Sequence, residues 1–307
     1  MDAFVALLSD YTFSVVALGS MILGMMSGIL GCFAVLKKQS LLGDGVSHAA
    51  LPGVVFMFLI TGHKNTQLLL LGALLAGLLA TLLINLVVTY TRIKFDSALA
   101  VFMSVFFGLG IVLLTYVQKI PNSNQAGLKT FIYGQASTLL QGDVYFMSVS
   151  SILILALVLL FWKEFKVLIF DQEFGFSIGL PVKWLNLLLS FLIVSAIIIG
   201  LQTVGVILMS AMLISPAVAA RQWTNKLSVM VLLSAIFGAS SGLIGTMASS
   251  LIPRLPTGPA IVVCISILVL FSLLFSPQRG ILLALYRQHQ NRQHHKQEGE
   301  DTHVTST

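Results

Sequence analysis

Long apolar stretches separated by short polar ones dominate this chain. Runs of at least ~17 apolar residues, the minimum for a helix crossing a bilayer, fall near residues 13–36, 46–62, 68–90, 98–117, 144–162, 184–201, 203–220, 227–250 and 258–276. The two runs flanking Gln202 are close enough to form one re-entrant unit, so the expected count is eight to ten, with nine the best fit. The predicted fold is all-α: a polytopic transmembrane helical bundle over residues 1–285. A polar tail over 286–307, carrying His289, His294, His295 and His303, is expected to be cytosolic and disordered.

Composition removes the alternatives. Of 307 residues 57% are apolar and 9% charged, against ~25% charged in a soluble domain, which excludes an ordinary water-soluble enzyme. Cys32 and Cys264 both lie inside apolar runs, so neither a disulfide framework nor a zinc-finger spacing is available. Met1-Asp2 opens without a basic n-region, and no cleavable leader is expected. The net charge of +6 tracks topology. With the N-terminus outside, thirteen of the seventeen Lys and Arg fall on the cytoplasmic side, and only Lys64, Lys119, Lys129 and Arg254 fall outside. Nothing is left for nucleic acid to explain.

An ionisable side chain inside a span is expensive and therefore a functional candidate. One cluster qualifies: in Gly43-Asp44-Gly45-Val46-Ser47-His48-Ala49-Ala50-Leu51-Pro52-Gly53, Asp44 and His48 stand four apart, on one face of a helix. A carboxylate oxygen and an imidazole nitrogen on adjacent turns can chelate one divalent ion. They supply only two of the four to six ligands a first-row metal takes, so two copies facing each other would complete an N2O2 set. The residues leave a second option open, in which Asp44 is the N-cap of the second span and His48 a hydrogen-bonded core residue. Pro52 and Pro216 each remove a backbone donor and loosen their spans one turn earlier. Met21, Met25, Met26, Met209 and Met212 read as gap-filling thioethers. Gly24-x-x-x-Gly28 and Gly238-x-x-x-Gly242 are close-packing signals between helices, with a homo-oligomer contact as the alternative.

No G-x-x-x-x-G-K-[ST] loop encodes an ATP site, and no run of intramembrane carboxylates forms a proton relay. Residues 163–183 carry Lys163, Glu164, Lys166, Asp171, Glu173 and Lys183 around Phe170, Phe174 and Phe176, and include Gly179-Leu180-Pro181. Such an amphipathic segment either docks a soluble partner or lies among headgroups.

These motifs together resemble the permease subunits of bacterial ABC importers for manganese, zinc or iron(II), the metal ABC transporter permease family. The resemblance rests on the Gly43 to Gly53 motif, on Phe131-Ile132-Tyr133-Gly134, on Phe174 to Val182, and on Gln202-Thr203-Val204-Gly205-Val206 running on to Pro216-Ala217. It implies a multi-pass protein of the bacterial plasma membrane in which Asp44 and His48 coordinate the passing metal. The surface meeting a cytosolic ABC ATPase maps onto residues 164–182, with Glu164, Phe170, Asp171, Glu173, Phe174, Gly179 and Pro181 as coupling candidates. It also implies an extracytoplasmic metal-binding protein and a second permease copy as partners, no permanently bound cofactor, and manganese or zinc as cargo with iron as a third option. The rivals are a stand-alone channel or ion-coupled carrier, and a structural subunit without a pathway.

Overall fold

The structure is a computed structural model. It describes residues 11–63, 65–119, 140–252, 255–278 and 280–283, with the backbone but not the side chains of Gln202, Thr203 and Ile207. The Phe131 to Gly134 motif and the 286–307 tail lie outside the described residues. Ten helices are bounded within the described residues, in order: α1 (Tyr11–Leu36), α2 (Leu42–Thr61), α3 (Thr66–Tyr90), α4 (Phe95–Gln118), α5 (Gln141–Leu160), α6 (Trp162–Phe170), α7 (Gln172–Ser177), α8 (Val182–Trp223), α9 (Leu227–Leu251) and α10 (Thr257–Phe275). No strand occurs among the described residues.

Among the described residues nine stretches are long and apolar enough to cross a membrane, because α8 contributes two, Val182–Leu201 and Val204–Trp223. A straight helix of its 42 residues would be about 63 Å long, twice the ~30 Å hydrocarbon core. Gly205 breaks it at φ 79°, ψ 173°, a conformation open to glycine and strained for other residues. The halves run antiparallel: near the start of α8, Asn186 accepts a 2.7 Å hydrogen bond from Lys37 Nζ, while near its end Arg221 lines a small cavity with Leu36 and Phe170. Both ends of α8 therefore meet the same end of α1, and the expected pair of spans around Gln202 is a hairpin turning at Gly205.

Short connections make α1 to α4 antiparallel in succession, and Tyr11 Oη meets Gln141 Oε1 at 3.4 Å, so α5 begins at the end of the bundle where α1 begins. Lys37, Lys38, Arg92, Lys94, Lys163, Lys166, Lys183, Arg221 and Lys226 consequently gather at one end, called here the basic end; Lys119 alone among the described Lys and Arg sits at the other. α1 stops at the basic end in a Schellman turn. Gln39 N–H donates to Ala34 O and Lys38 N–H to Val35 O, with Lys38 at φ 58°, and this turn delivers Lys37 to Asn186.

The buried centre is α1, α2 and α8. In α1 72% of the span window is buried, against 22% in α4, α5 and α10, whose exposed leucines, valines and phenylalanines form a lipid-facing belt. α1 and α9 touch backbone to backbone: a Cβ on Gly24 would lie 2.2 Å from Gly238 O, and one on Gly242 2.6 Å from Ser20 O. Ser234 Oγ donates to Gly28 O at 2.7 Å across the same seam. The two small-residue motifs thus pack against each other within one chain.

Candidate metal site and basic-end surface

α2 begins earlier than its hydropathy predicts. Leu41 is the N-cap and makes no side-chain capping bond, so Asp44 is a first-turn residue inside the helix and not the cap. Its carboxylate favours the positive end of the helix dipole. One turn on, His48 Nε2 stands 3.5 Å from Asp44 Oδ1, with the His48 side chain 27% and the Asp44 side chain 43% exposed. No other Lys, Arg or His lies within 4.0 Å of an acid among the described residues.

Glycine and serine clear the space around this pair. Gly43 lies against Leu213 and Gly45 against Leu99, so α2 fits closely between α8 and α4 without covering Asp44. Ser47 satisfies its hydroxyl on Gly43 O at 2.7 Å. The His48 ring meets Phe107 edge to face, centroids 4.8 Å apart at 83°. Leu51, Val54, Phe107, Leu201 and Val206 complete a small cleft with Ser47 and His48, and the Gly205 reversal is what brings Leu201 and Val206 to it. The imidazole is thus the coordinating group at an otherwise apolar opening beside Ser47, and the Asp44 carboxylate stands one helical turn away, within 3.5 Å of it. With bonds of ~2.1 Å to each atom, a separation of 3.5 Å subtends about 110° at a shared ion, so one divalent cation can bridge them. No group of three or more His, Cys, Asp or Glu suited to a metal exists among the described residues, and a single chain offers two ligands here.

At the basic end, α6 and α7 form the segment singled out as amphipathic. Phe165 and Leu168 are buried, and Phe33 packs edge-on against both Phe165 and Trp162 at 6.0 Å. Phe170, Phe174 and Phe176 are exposed beside Glu173. Asp171 caps α7 by accepting from Phe174 N–H at 2.8 Å. Gly179, at φ 81°, closes α7 in a second Schellman turn, with Leu180 N–H donating to Gly175 O and Gly179 N–H to Phe176 O. Pro181 then starts α8 as its N-cap. Asp171, Gly179 and Pro181 therefore shape the exposed phenylalanine face. Glu164 is turned elsewhere, into a groove beside α9.

Sequence reasoning did not find Phe107, Leu201 or Val206 at the cleft, nor the Lys37–Asn186 bond. Lys37 had one available signal, its place as the first basic residue after the first span; in the structure burial pulls its ammonium down to about 8 from its ordinary 10.5.

A helical bundle with nine candidate spans among the described residues, and an acid–imidazole pair whose imidazole lines a cleft, has the form of a multi-pass membrane permease. The model of the ABC 3 transport family matches residues 9–276, and the chain belongs to that family, as the permease subunit of an ABC transporter. It is 50% identical over 287 residues to the zinc transport system membrane protein TroC of Treponema pallidum (strain Nichols), covering 94% of this chain and 96% of the relative. It is 47% identical over 263 residues to the manganese transport system membrane protein MntC of Bacillus subtilis (strain 168), covering 86% of this chain but 60% of that longer protein. Among solved structures, PsaBC from Streptococcus pneumoniae in complex with Fab matches with a TM-score of 0.78 at 30% identity, covering 91% of this chain and 98% of that one.

Proposed function

We propose that this chain forms the membrane pathway of an ATP-driven importer of divalent transition metal ions, manganese or zinc, and that Asp44 and His48 are the cargo's ligands in transit. The observation that carries the proposal is the pair itself: 3.5 Å apart on one helix face, with His48 lining a cleft otherwise made of apolar side chains and Ser47, in a chain half identical to a zinc-transport membrane protein. Carboxylate plus imidazole without thiolate suits both metals. Two ligands from each of two permease copies would give the four that a single chain lacks.

The N-terminus lies outside and the basic end faces the cytoplasm of a bacterial plasma membrane, by the excess of Lys and Arg there. A cytosolic ATPase meets the face made by Phe170, Glu173 and Phe174, an extracytoplasmic metal-binding protein delivers cargo at the opposite end, and the 286–307 tail takes no part in the pathway. Radiolabelled manganese and zinc uptake in a deletion strain complemented with the wild-type chain or with Asp44→Asn tests the proposal. Uptake of at least one metal is restored by the wild type and not by Asp44→Asn; equal restoration by both removes Asp44 from the pathway.

A further inference from the structure

A lateral groove opens near the basic end and shares no lining residue with the His48 cleft. The end of α5, the start of α6, the first third of α9 and Ile29 of α1 wall a space of about 730 Å³, within the ~300–1,000 Å³ of small-ligand sites. Leu159, Leu160 and Leu232 line it and are 71%, 72% and 62% exposed, so it is open sideways, toward the bilayer. Its other end carries Lys163, Glu164 and Ser228 beside Trp162, where the spans of α5 and α9 reach their basic-end termini and headgroups begin. The wall is fixed there, because Trp162 packs at 90° on the buried Phe33.

The polar end is electrostatically incomplete. Glu164 Oε2 is buried and has no hydrogen-bond partner among the described residues. An ionised carboxylate only accepts, and leaving it desolvated and unpaired is costly, so this oxygen calls for a cationic donor. Lys163 beside it is exposed and has no acid within 4.0 Å among the described residues. A recessed acid and a rim base over an apolar trough match a molecule with an apolar tail, a phosphate and a terminal ammonium.

We propose that the groove holds one phospholipid with a primary-ammonium headgroup, phosphatidylethanolamine. Its acyl chain lies along Leu159, Leu160 and Leu232, its ammonium donates to Glu164, and its phosphate faces Lys163 and the Ser228 hydroxyl. A phosphatidylglycerol headgroup would bring no cation to Glu164, and a choline headgroup carries charge but no N–H to donate. The site is independent of the metal pathway, and its test reads lipid and not transport.

Native mass spectrometry of the full chain purified with its ATPase from membranes containing ethanolamine, glycerol and choline phospholipids tests the assignment. One phosphatidylethanolamine per chain is expected to survive activation that strips the other classes. Glu164→Gln is expected to lower its occupancy about tenfold, the scale of one lost charge-assisted bond, and Lys163→Gln to weaken every phospholipid class. Unchanged ethanolamine-lipid occupancy in Glu164→Gln overturns the proposal. So does equal retention of choline and ethanolamine lipids by the wild-type chain, a measurement that needs no variant and decides the matter if Glu164→Gln fails to accumulate. Cross-linking of Leu232→Cys to a second copy, with no retained lipid, would assign the groove to a protein interface and also overturn it.

Discussion

The α1–α9 seam and the cleft beside His48 are both built on glycine, and they use it in opposite ways. At the seam each missing Cβ faces backbone: one added to Gly24 would lie 2.2 Å from Gly238 O, and one added to Gly28 2.6 Å from Ser234 O. Backbone of a packed helix cannot give way, so those glycines lock two helices at a fixed distance. Around Asp44 an added Cβ would meet side chains instead, 3.0 Å from Leu213 Cδ2 if built on Gly43 and 3.0 Å from Leu99 Cγ if built on Gly45. Leucine rotamers can move. The seam is thus the hard part of the bundle, and the wall next to Asp44 is the compliant part, which is the division of labour a transport subunit needs if its pathway is to open while its frame holds.

The largest expected effect comes from breaking the seam. Gly238→Val places a branched side chain where a Cβ alone would be 2.0 Å from Gly24 O. Overpacking of this kind costs about 1–3 kcal/mol and sometimes more, and little folded protein should be recovered by size-exclusion chromatography in detergent. Gly45→Ala is the matched control on the compliant side. It should fold, with a melting temperature close to that of the wild type; equal loss in both variants would erase the distinction between the two regions.

Next in size is the cleft itself. Asp44→Asn keeps volume and helix position but removes the charge, and His48→Ala removes the imidazole and its contact with Phe107. Each should cut metal uptake by at least ~10-fold, the scale on which even the outer partners of metal ligands act, with folded yield unchanged. Because Asp44 is inside the first turn and caps nothing, a loss in Asp44→Asn cannot be assigned to capping.

A smaller, more specific effect is expected at the basic end. Phe170→Ala with Phe174→Ala should weaken co-purification of the ATPase roughly tenfold, since exposed aromatics at a docking surface are the usual energetic anchors, while metal binding stays intact. Charge reversal at Asp171 is a poor probe, as it would also remove the cap on Phe174 N–H. Asp171→Asn retains the cap and isolates the charge. Undiminished co-purification in the double alanine variant would return these side chains to the headgroup layer.

How much of this was written in the sequence differs by region. The spans were legible because twenty apolar residues leave the chain no other solution in a bilayer, and Asp44 with His48 because a spacing of four is a local property of one helix. The apolar run begins at Val46, yet the helix runs from Leu42, which settles against the N-cap option for Asp44: the first turn packs beside Leu213 and Leu99 in spite of the weak helix propensity of its two glycines. The cleft's other walls were not legible at all. Phe107, Leu201 and Val206 reach His48 only through the α4 crossing and the Gly205 reversal, and nothing within a few residues of them encodes that. The Gly-Leu-Pro motif was visible, but its work is a Schellman turn and a helix start, which only the backbone reveals.

The smallest expected effect sharpens the contrast at the edge of the rigid frame. Lys37 holds Asn186 at 2.7 Å, tying the end of α1 to α8, and its ammonium titrates near 8 instead of 10.5 because burial disfavours the charged form. The sign follows from proton counts. Below pH 8 the folded and unfolded chains both carry the proton, and the desolvation of the charge weighs against folding. Between pH 8 and about 10.5 the unfolded chain holds more protons than the folded one, so stability from this group rises with pH across that window. Lys37→Met removes the titration while keeping the apolar stem. The difference between wild-type and Lys37→Met melting temperatures, measured from pH 7 to pH 10, should therefore move in favour of the wild type as pH rises, by a few degrees at most. A difference that stays constant over the range would mean that Lys37 is solvated like any surface lysine, and that the α1–α8 tie is looser than the seam on the other side of α1.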